Sequence, residues 1–457
     1  MYFKPYYLGC LAHASYLIGG SSGRAAVIDP RRDVDEYIAD AEAAGLSITD
    51  VIETHLHADF VSGHVELAER TGATVHVGAR AGAEFEHRPA REGDEIDLGD
   101  VRLRFIETPG HTPEGVTVLA YVDGEEAPRM AFTGDTLFIG DVGRPDLAGS
   151  RGYTAEQMAS MLFGSLRDKI WPLPDSMEIW PVHGAGSACG RALSDERSST
   201  LGAQRTANPA LRYVAAGDEE GFVRYAVTGL PLAPAYFAHD AARNRQGAPS
   251  IEELLAAARP LEPAEVERLS EEGEAIVLDT RAVAEYGRGH VPGSLNVPLD
   301  GKFAPWVGTV LPPGSPIVVV AEEGREEEAI VRLARVGYET VIGWLAGGIE
   351  QWKQAGGQVA ATPQLTRREV EDRLRSGAVA LLDVRTGDEW GAGHVEGAIH
   401  LPLSELIGRM ADVPEKPLAI LCGSGYRSSI ACSLLERAGR RNVCNVSGGW
   451  EAWQQAT

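Results

Sequence analysis

The chain has little cysteine, few cations and no long apolar run. Five cysteines, Cys10, Cys189, Cys422, Cys432 and Cys444, are scattered over 457 residues without a C-x-x-C pair. This excludes a disulfide framework and suits a reducing compartment, where a special cysteine would be a reactive thiol. Lys and Arg number 42 against 66 Asp and Glu, a formal charge of −24. That balance excludes nucleic acid or an anionic membrane surface as a major partner, though not a local basic pocket. No stretch approaches the ~18 apolar residues of a membrane span. Residues 6–20 are fairly apolar but contain His13 and Ser15, and a Gly/Ser turn at 19–23 leads into Ala25-Ala26-Val27-Ile28-Asp29-Pro30. A β-hairpin is expected there, not a signal peptide. Ordinary hydrophobic content, 44%, and a length of 457 residues imply about three soluble domains. The expected setting is cytoplasmic.

Four motifs follow apolar, strand-like runs. They are Thr54-His55-Leu56-His57-Ala58-Asp59-Phe60, Thr108-Pro109-Gly110-His111-Thr112, Thr133-Gly134-Asp135-Thr136 and Pro181-Val182-His183-Gly184. Imidazole and carboxylate are the ligands that suit zinc, iron or manganese. A lone His-x-His is weak evidence, but four clusters in series at strand ends are hard to explain as surface histidines. Helices are expected at 34–45 and 62–72. The set resembles the metallo-β-lactamase superfamily over residues 1–240, which implies an αββα fold.

A polar stretch from His239 to Pro249 has little apolar periodicity and reads as linker, so 241–261 is assigned to one. Beyond it the chain repeats itself. Leu278-Asp279-Thr280-Arg281 recurs as Leu382-Asp383-Val384-Arg385, and Gly289-His290-Val291-Pro292-Gly293 as Gly393-His394-Val395-Glu396-Gly397. Units of about a hundred residues are duplicated domains, not solenoid repeats. Their motifs resemble rhodanese domains, implying α/β folds at 262–358 and 362–457.

The second copy ends its central strand at Cys422-Gly423-Ser424-Gly425-Tyr426-Arg427. A cysteine between a buried strand and a helix N-terminus sits under backbone N–H dipoles, which with Arg427 favour the thiolate. The resemblance assigns catalysis to Cys422, as carrier of a persulfide, with Arg427 beside it. Asp383 and Arg385 are expected to pair in support of this loop. The first copy has Ala321-Glu322-Glu323-Gly324-Arg325-Glu326 instead. It lacks the nucleophile and is expected to be a spacer, packing surface or interface.

Two-metal hydrolases of the superfamily need a histidine where this chain has Phe60. Two histidines and one carboxylate with open positions are the arrangement of non-haem Fe(II) oxygenases. Similarity to persulfide dioxygenases implies one Fe(II) per chain on His55, His111 and Asp135, with His57, Asp59 and His183 orienting ligands and bound water. The implied partners are a low-molecular-weight thiol persulfide (glutathione or similar), O2, and sulfite or thiosulfate, in a homo-oligomer without nucleic acid or membrane. A glyoxalase II-like hydrolase with an appended sulfurtransferase is the alternative, and a sulfur-carrier or persulfide sensor is a third.

Two roles fit Arg144: binding the carboxylate of a thiol carrier, or pinning its own loop. Cys189, in a Gly-rich loop after His183, reads as a persulfide relay near substrate or a small buried cysteine. Cys432 and Cys444 are expected to be packing residues, and His13, His64, His76, His87, His239 and His400 structural or solvated.

Overall fold

The computed structural model describes residues 1–191, 193–230 and 233–455. Contacts divide the chain into two units, Met1–Ile251 with Ala334–Gly337, and Glu252–Leu333 with Tyr338–Thr457. Among the described residues no helix is long and apolar enough to cross a membrane.

The first unit holds two six-stranded sheets. One runs in chain order: β1 (Tyr2–Leu8), β2 (His13–Gly19), β3 (Arg24–Ile28), β4 (Ser47–Glu53), β5 (Thr74–Gly78) and β6 (Arg88–Ala90). The other is built from β7 (Glu95–Asp97), β8 (Val101–Glu107), β9 (Val116–Val122), β10 (Met130–Gly134), β11 (Glu178–Pro181) and β12 (Ser199–Thr200), again in order. The expected hairpin is the antiparallel pair β2/β3. Side chains of a strand alternate between faces, and both faces here are apolar. Tyr16, Ile18, Ala26 and Ile28 pack against Leu103, Phe105, Val118 and Phe132 between the sheets. Leu17, Ala25, Val27 and Val51 point outward and are covered by Tyr37, Ala41 and Leu67, from helices Asp35–Ala43 and His64–Thr71. On the far side Leu119, Ala131 and Ile179 meet Leu162, Phe163 and Phe222. The layers are αββα.

The stretch assigned to a linker is structured. Helix Phe237–Gln246 buries Phe237, Asp240 and Asn244, helix Ile251–Ala257 follows, and β13 (Arg259–Leu261) already belongs to the next sheet. The contact division falls after Ile251, and the first strand of the next sheet starts at Arg259.

The second unit contains two all-parallel five-stranded sheets. In the first the order is β13, β17 (Val341–Leu345), β16 (Ile317–Val320), β14 (Ile276–Asp279), β15 (Leu295–Asn296). In the second it is β18 (Gln364–Leu365), β22 (Val443–Val446), β21 (Leu418–Leu421), β19 (Ala380–Asp383), β20 (Ile399–His400). Strand for strand these are one topology used twice. The central strands Ile317–Val320 and Leu418–Leu421 are buried at every position, as expected of parallel strands covered on both faces.

Candidate functional site

Every expected metal ligand stands just past a strand end. β3 and β4 run parallel, as do β10 and β11, so Asp29 and His55 leave one sheet, and Asp135 and His183 the other, from matching edges. Gly134 has φ +49, and a Cβ there would lie 2.5 Å from Thr54 Oγ1. Only glycine lets the Asp135 turn approach the His55 turn so closely.

The structure brings these side chains together. His55, His111 and Asp135 present ligand atoms all within 4.8 Å of one another; so do His57, Asp59 and His183, and also Asp135, His183 and Cys189. Asp135 Oδ2 lies 3.2 Å from His111 Nε2 and 3.8 Å from His55 Nε2. Its Oδ1 lies 3.7 Å from His183 Nε2, which is 3.4 Å from Asp59 Oδ2.

The rings are set in specific tautomers. His111 Nδ1 is 2.8 Å from the Arg144 carbonyl, and His183 Nδ1 3.2 Å from the Ala12 carbonyl. A carbonyl only accepts, so each Nδ1 carries the proton and each Nε2 offers a lone pair inward. Thr54 Oγ1 donates to Asp29 and accepts from His55 Nδ1 at 3.0 Å, with the same result. His57 is turned the other way. Its Nε2 lies between Asp29 Oδ1 at 3.1 Å and Glu53 Oε2 at 3.3 Å. Burial alone would strip its charge, but hydrogen bonds to the two carboxylates outweigh this and lift its pKa to about 10. Burial and the neighbouring imidazoles hold His55 well below the usual histidine range.

Ala12 (φ 51) and Asp29 (φ 50) are the non-glycine residues with positive φ among those described. Such conformations cost of order 1–3 kcal/mol each, and both serve the cluster. One aims a carbonyl at His183, and the other carries the carboxylate that holds Thr54 and His57.

His57 Nδ1, Asp59 Oδ1, His183 Nε2 and both Asp135 carboxylate oxygens are buried without a hydrogen-bond partner. A buried carboxylate left unpaired is expensive, and a bound cation removes the cost. Imidazole lone pairs and carboxylates converging on one point form a donor set that fits a metal ion.

Several side chains with two readings take one of them. In the Arg144 guanidinium, Nε and Nη2 each lie 2.7 Å from Asp146, and Nη1 is 3.1 Å from the Ala188 carbonyl. Arg144 pins its loop, and its own carbonyl holds His111. Cys189 is buried against Asp135 and His183; burial and the nearby carboxylates push its thiol well up. Phe60 packs on His13 and His57, ring centroids 4.0 and 4.4 Å away. His13 takes the structural alternative of its reading, buried beside the cluster with Nε2 3.0 Å from the Asp29 carbonyl. Sequence reasoning missed Asn244. Its amide donates to the His57 and Phe60 carbonyls at 2.8 and 2.7 Å, and its oxygen accepts from Ser62 N at 2.8 Å. The available signal was a helix whose buried stripe is polar.

In the second unit Cys422 ends β21, 1% exposed. Gly425, with φ +101, turns its N–H toward the Cys422 sulfur at 3.1 Å. The Ser428 hydroxyl is 3.3 Å from the same sulfur. Arg427 grips Glu389 through two 2.6 Å contacts, and those hydrogen bonds pull the Glu389 carboxyl down to about 2. Asp383 and Arg385 pair within 3.0 Å. In the first copy Gly324 keeps the left-handed turn, φ +83, but Ala321 replaces the thiol, and Arg325 contacts Glu328 and Asp300. An amide-lined thiol at a helix N-terminus can attack a sulfane sulfur and hold the product anion.

Comparison with known proteins agrees with both halves. Residues 8–183 match the metallo-beta-lactamase superfamily model, and residues 262–355 and 366–456 the rhodanese-like domain model. The chain is 31% identical over 186 residues to the mitochondrial persulfide dioxygenase ETHE1 of Bos taurus, covering 40% of this chain and 68% of that protein. It is 38% identical over 141 residues to a hydroxyacylglutathione hydrolase of Methylobacterium sp. (strain 4-46), covering 30% and 49%. A crystal structure of a metallo-beta-lactamase from Staphylococcus aureus subsp. aureus COL superposes with TM-score 0.64 at 32% identity, covering 76% of this chain and 98% of that one. The chain spans about half the length of several curated relatives, that hydrolase among them. The chain belongs to the metallo-β-lactamase superfamily. Within it, the protein joins an N-terminal domain of that fold to two rhodanese-like domains, and its relatives mark it as an enzyme.

Proposed function

We propose that the protein is a non-haem Fe(II) persulfide dioxygenase coupled to a sulfurtransferase, working in a reducing, cytoplasmic setting. The observation that carries this is the joining of a His55–His111–Asp135 centre to a domain with one amide-lined thiol. The first reaction is R-S-SH + O2 + H2O → R-SH + SO3²⁻ + 2 H⁺. In the second, Cys422 persulfide passes its outer sulfur to sulfite, giving thiosulfate and the Cys422 thiolate. One active site makes the acceptor of the other, so fusion raises its local concentration.

Ferrous iron held by His55, His111 and Asp135 would supply O2 activation. The chain's own residues do the rest. The Arg144 and Ala12 carbonyls and Thr54 fix the rings, and Asn244 ties down the loop that carries His57. A cavity of about 350 Å³, walled by Leu56, Ala58, Leu147, Ala148, Pro234 and Phe237, lies beside Thr112 and takes the carrier thiol. Cys189, within reach of Asp135 and His183, would meet the outer sulfur of the substrate.

A thioester hydrolase is the second reading. It is favoured by the His57–Asp59–His183 group, a second set of donors, and by the likeness to a hydroxyacylglutathione hydrolase. Metal analysis with oxygen uptake on glutathione persulfide separates the two. One iron per chain, lost in His55→Ala and largely kept in His57→Ala, with persulfide-dependent uptake, supports the dioxygenase. Two zinc ions and no uptake would reject it.

A further inference from the structure

The first rhodanese-like copy has no thiol in its loop, yet one of its fully buried polar residues reaches into the other copy. Asn296, on the edge strand β15, is fully buried. Its amide nitrogen donates to the Asp279 and Arg281 carbonyls of its own copy, 3.0 Å each. That fixes which way the amide faces, and leaves Oδ1 to accept from Ser429 Oγ at 2.6 Å. The Asn296 backbone N–H donates to Ser433 Oγ at 3.0 Å. Both serines lie on helix Tyr426–Arg437, which starts at the Cys422 loop.

Two further contacts extend the stripe. Tyr426 OH donates to the Pro298 carbonyl at 2.8 Å, and Arg437 Nη1 to the Gly293 carbonyl at 3.0 Å. Residues 426, 429, 433 and 437 follow the i, i+3, i+7, i+11 spacing of one helix face. The whole face is held by directional hydrogen bonds, and Ser429 and Ser433 are buried with their hydroxyls satisfied. A satisfied buried polar network selects one arrangement of two bodies where apolar packing would allow several.

The replaced loop of the first copy takes part. Arg325 stands where Tyr426 does in the other copy, and contacts Asp300 at 3.0 Å. Arg332 donates to the carbonyls of Leu299 and Gly301 at 2.6 and 3.2 Å. These arginines fix segment 299–301, against which the Tyr426 ring rests: a Cβ on Gly301 would lie 3.3 Å from it. On the other side of the same helix turn, Ser428 and the Gly425 N–H point at the Cys422 sulfur.

We propose that the degenerate copy is the fixed half of the sulfur-transfer site, with Asn296 as its positioning residue. By clamping the first turns of helix Tyr426–Arg437 it sets the distance of Ser428 and the loop amides from Cys422. This rests on the reading that Cys422 carries sulfur, but its principal test does not.

The test is the rate of Cys422 alkylation by iodoacetamide against pH in the full chain, for wild type, Asn296→Ala and Tyr426→Phe. Arg427, Glu389 and Asp383, the charged groups around the thiol, belong to the active copy and are untouched by either change. Asn296→Ala should move the alkylation midpoint up by about one pH unit and lower kcat for thiosulfate sulfur transfer about tenfold, with KM changed less than about twofold. Oxygen uptake should not change. Tyr426→Phe, which removes one hydroxyl, should shift both in the same direction by less, and it decides the matter if the Asn296 variant does not fold. Wild-type pH profiles and kcat in the folded variants would overturn the proposal and leave the first copy a spacer. Alkylation reports on the thiol whether or not it carries sulfur, so absence of a persulfide adduct on the wild type would count against the transfer reaction alone.

Discussion

The two rhodanese-like copies share a strand order, a buried Asp–Arg pair and a left-handed glycine in the loop after the central strand. In one copy that loop closes around a sulfur. In the other, glutamates at 322 and 323 point to solvent and Arg325 turns to Asp300 and Glu328. The scaffold is kept because it is a core-packing solution, and the thiol is absent through a change of a few loop residues. Fold and activity are separable at the resolution of single side chains.

Breaking the live copy should have the largest effect. Cys422→Ser should lower thiosulfate-to-thiol sulfur transfer by at least about a thousandfold, since no other nucleophile stands in the loop. Oxygen uptake with glutathione persulfide should stay within about twofold, and a folded variant that lost both would refute two independent sites. Repairing the dead copy should do little. In the Cys422→Ser background, Ala321→Cys should recover less than about 1% of transfer, because Glu322, Glu323 and Glu326 oppose a thiolate that Arg427 would favour. Mass spectrometry of the wild type after thiosulfate should find the added sulfur, about 32 Da, on the Cys422 peptide and none on segment 316–330.

Paired glycine changes sharpen the contrast. Gly425→Ala and Gly324→Ala force an L-residue into positive φ, so each should cost about 1–2 kcal/mol in thermal or urea unfolding. Only Gly425→Ala should also impair transfer, since only that amide faces a sulfur. Equal activity losses would mean that the two loops are coupled. The smallest effect is acid dependence. The folded-state pKa of Glu389 lies near 2, below its ordinary 4.5. Its stabilising contribution is therefore present above about pH 4.5 and lost as pH falls towards 2. Urea midpoints of wild type and Glu389→Gln should differ at pH 7 and converge through that window.

What the sequence made legible was whatever is written in residue type. His55, His111, Asp135 and Cys422 announce themselves because few residues can bind metal or attack sulfur, and each follows an apolar strand. The devices that aim them are written in backbone geometry. No pattern reveals that the Ala12 and Arg144 carbonyls face ring nitrogens, or that Asp29 adopts positive φ. Arg144 keeps two readings in the sequence because a guanidinium announces an anion without saying whose, and one that it meets belongs to Asp146. Helix Phe237–Gln246 reads as linker because its buried stripe, Phe237, Asp240 and Asn244, has helical spacing but mostly polar members. Apolar periodicity cannot find a face that is buried in order to make hydrogen bonds.

The tie from Asn244 to the Phe60 carbonyl spans 184 residues of sequence. A ribosome therefore makes the His57 loop well before the amide that closes it, by roughly 10–40 s at 5–20 residues per second. Once His183 has been added, the nascent first domain owns every side chain of its metal centre but still lacks the clasp on the loop that carries His57 and Asp59. Metal loading is thereby biased to follow completion of the domain, so the site is licensed late in synthesis. A chain ended at residue 236 should hold metal more weakly than the full chain, as equilibrium dialysis would read, and equal retention would show that the clasp is dispensable.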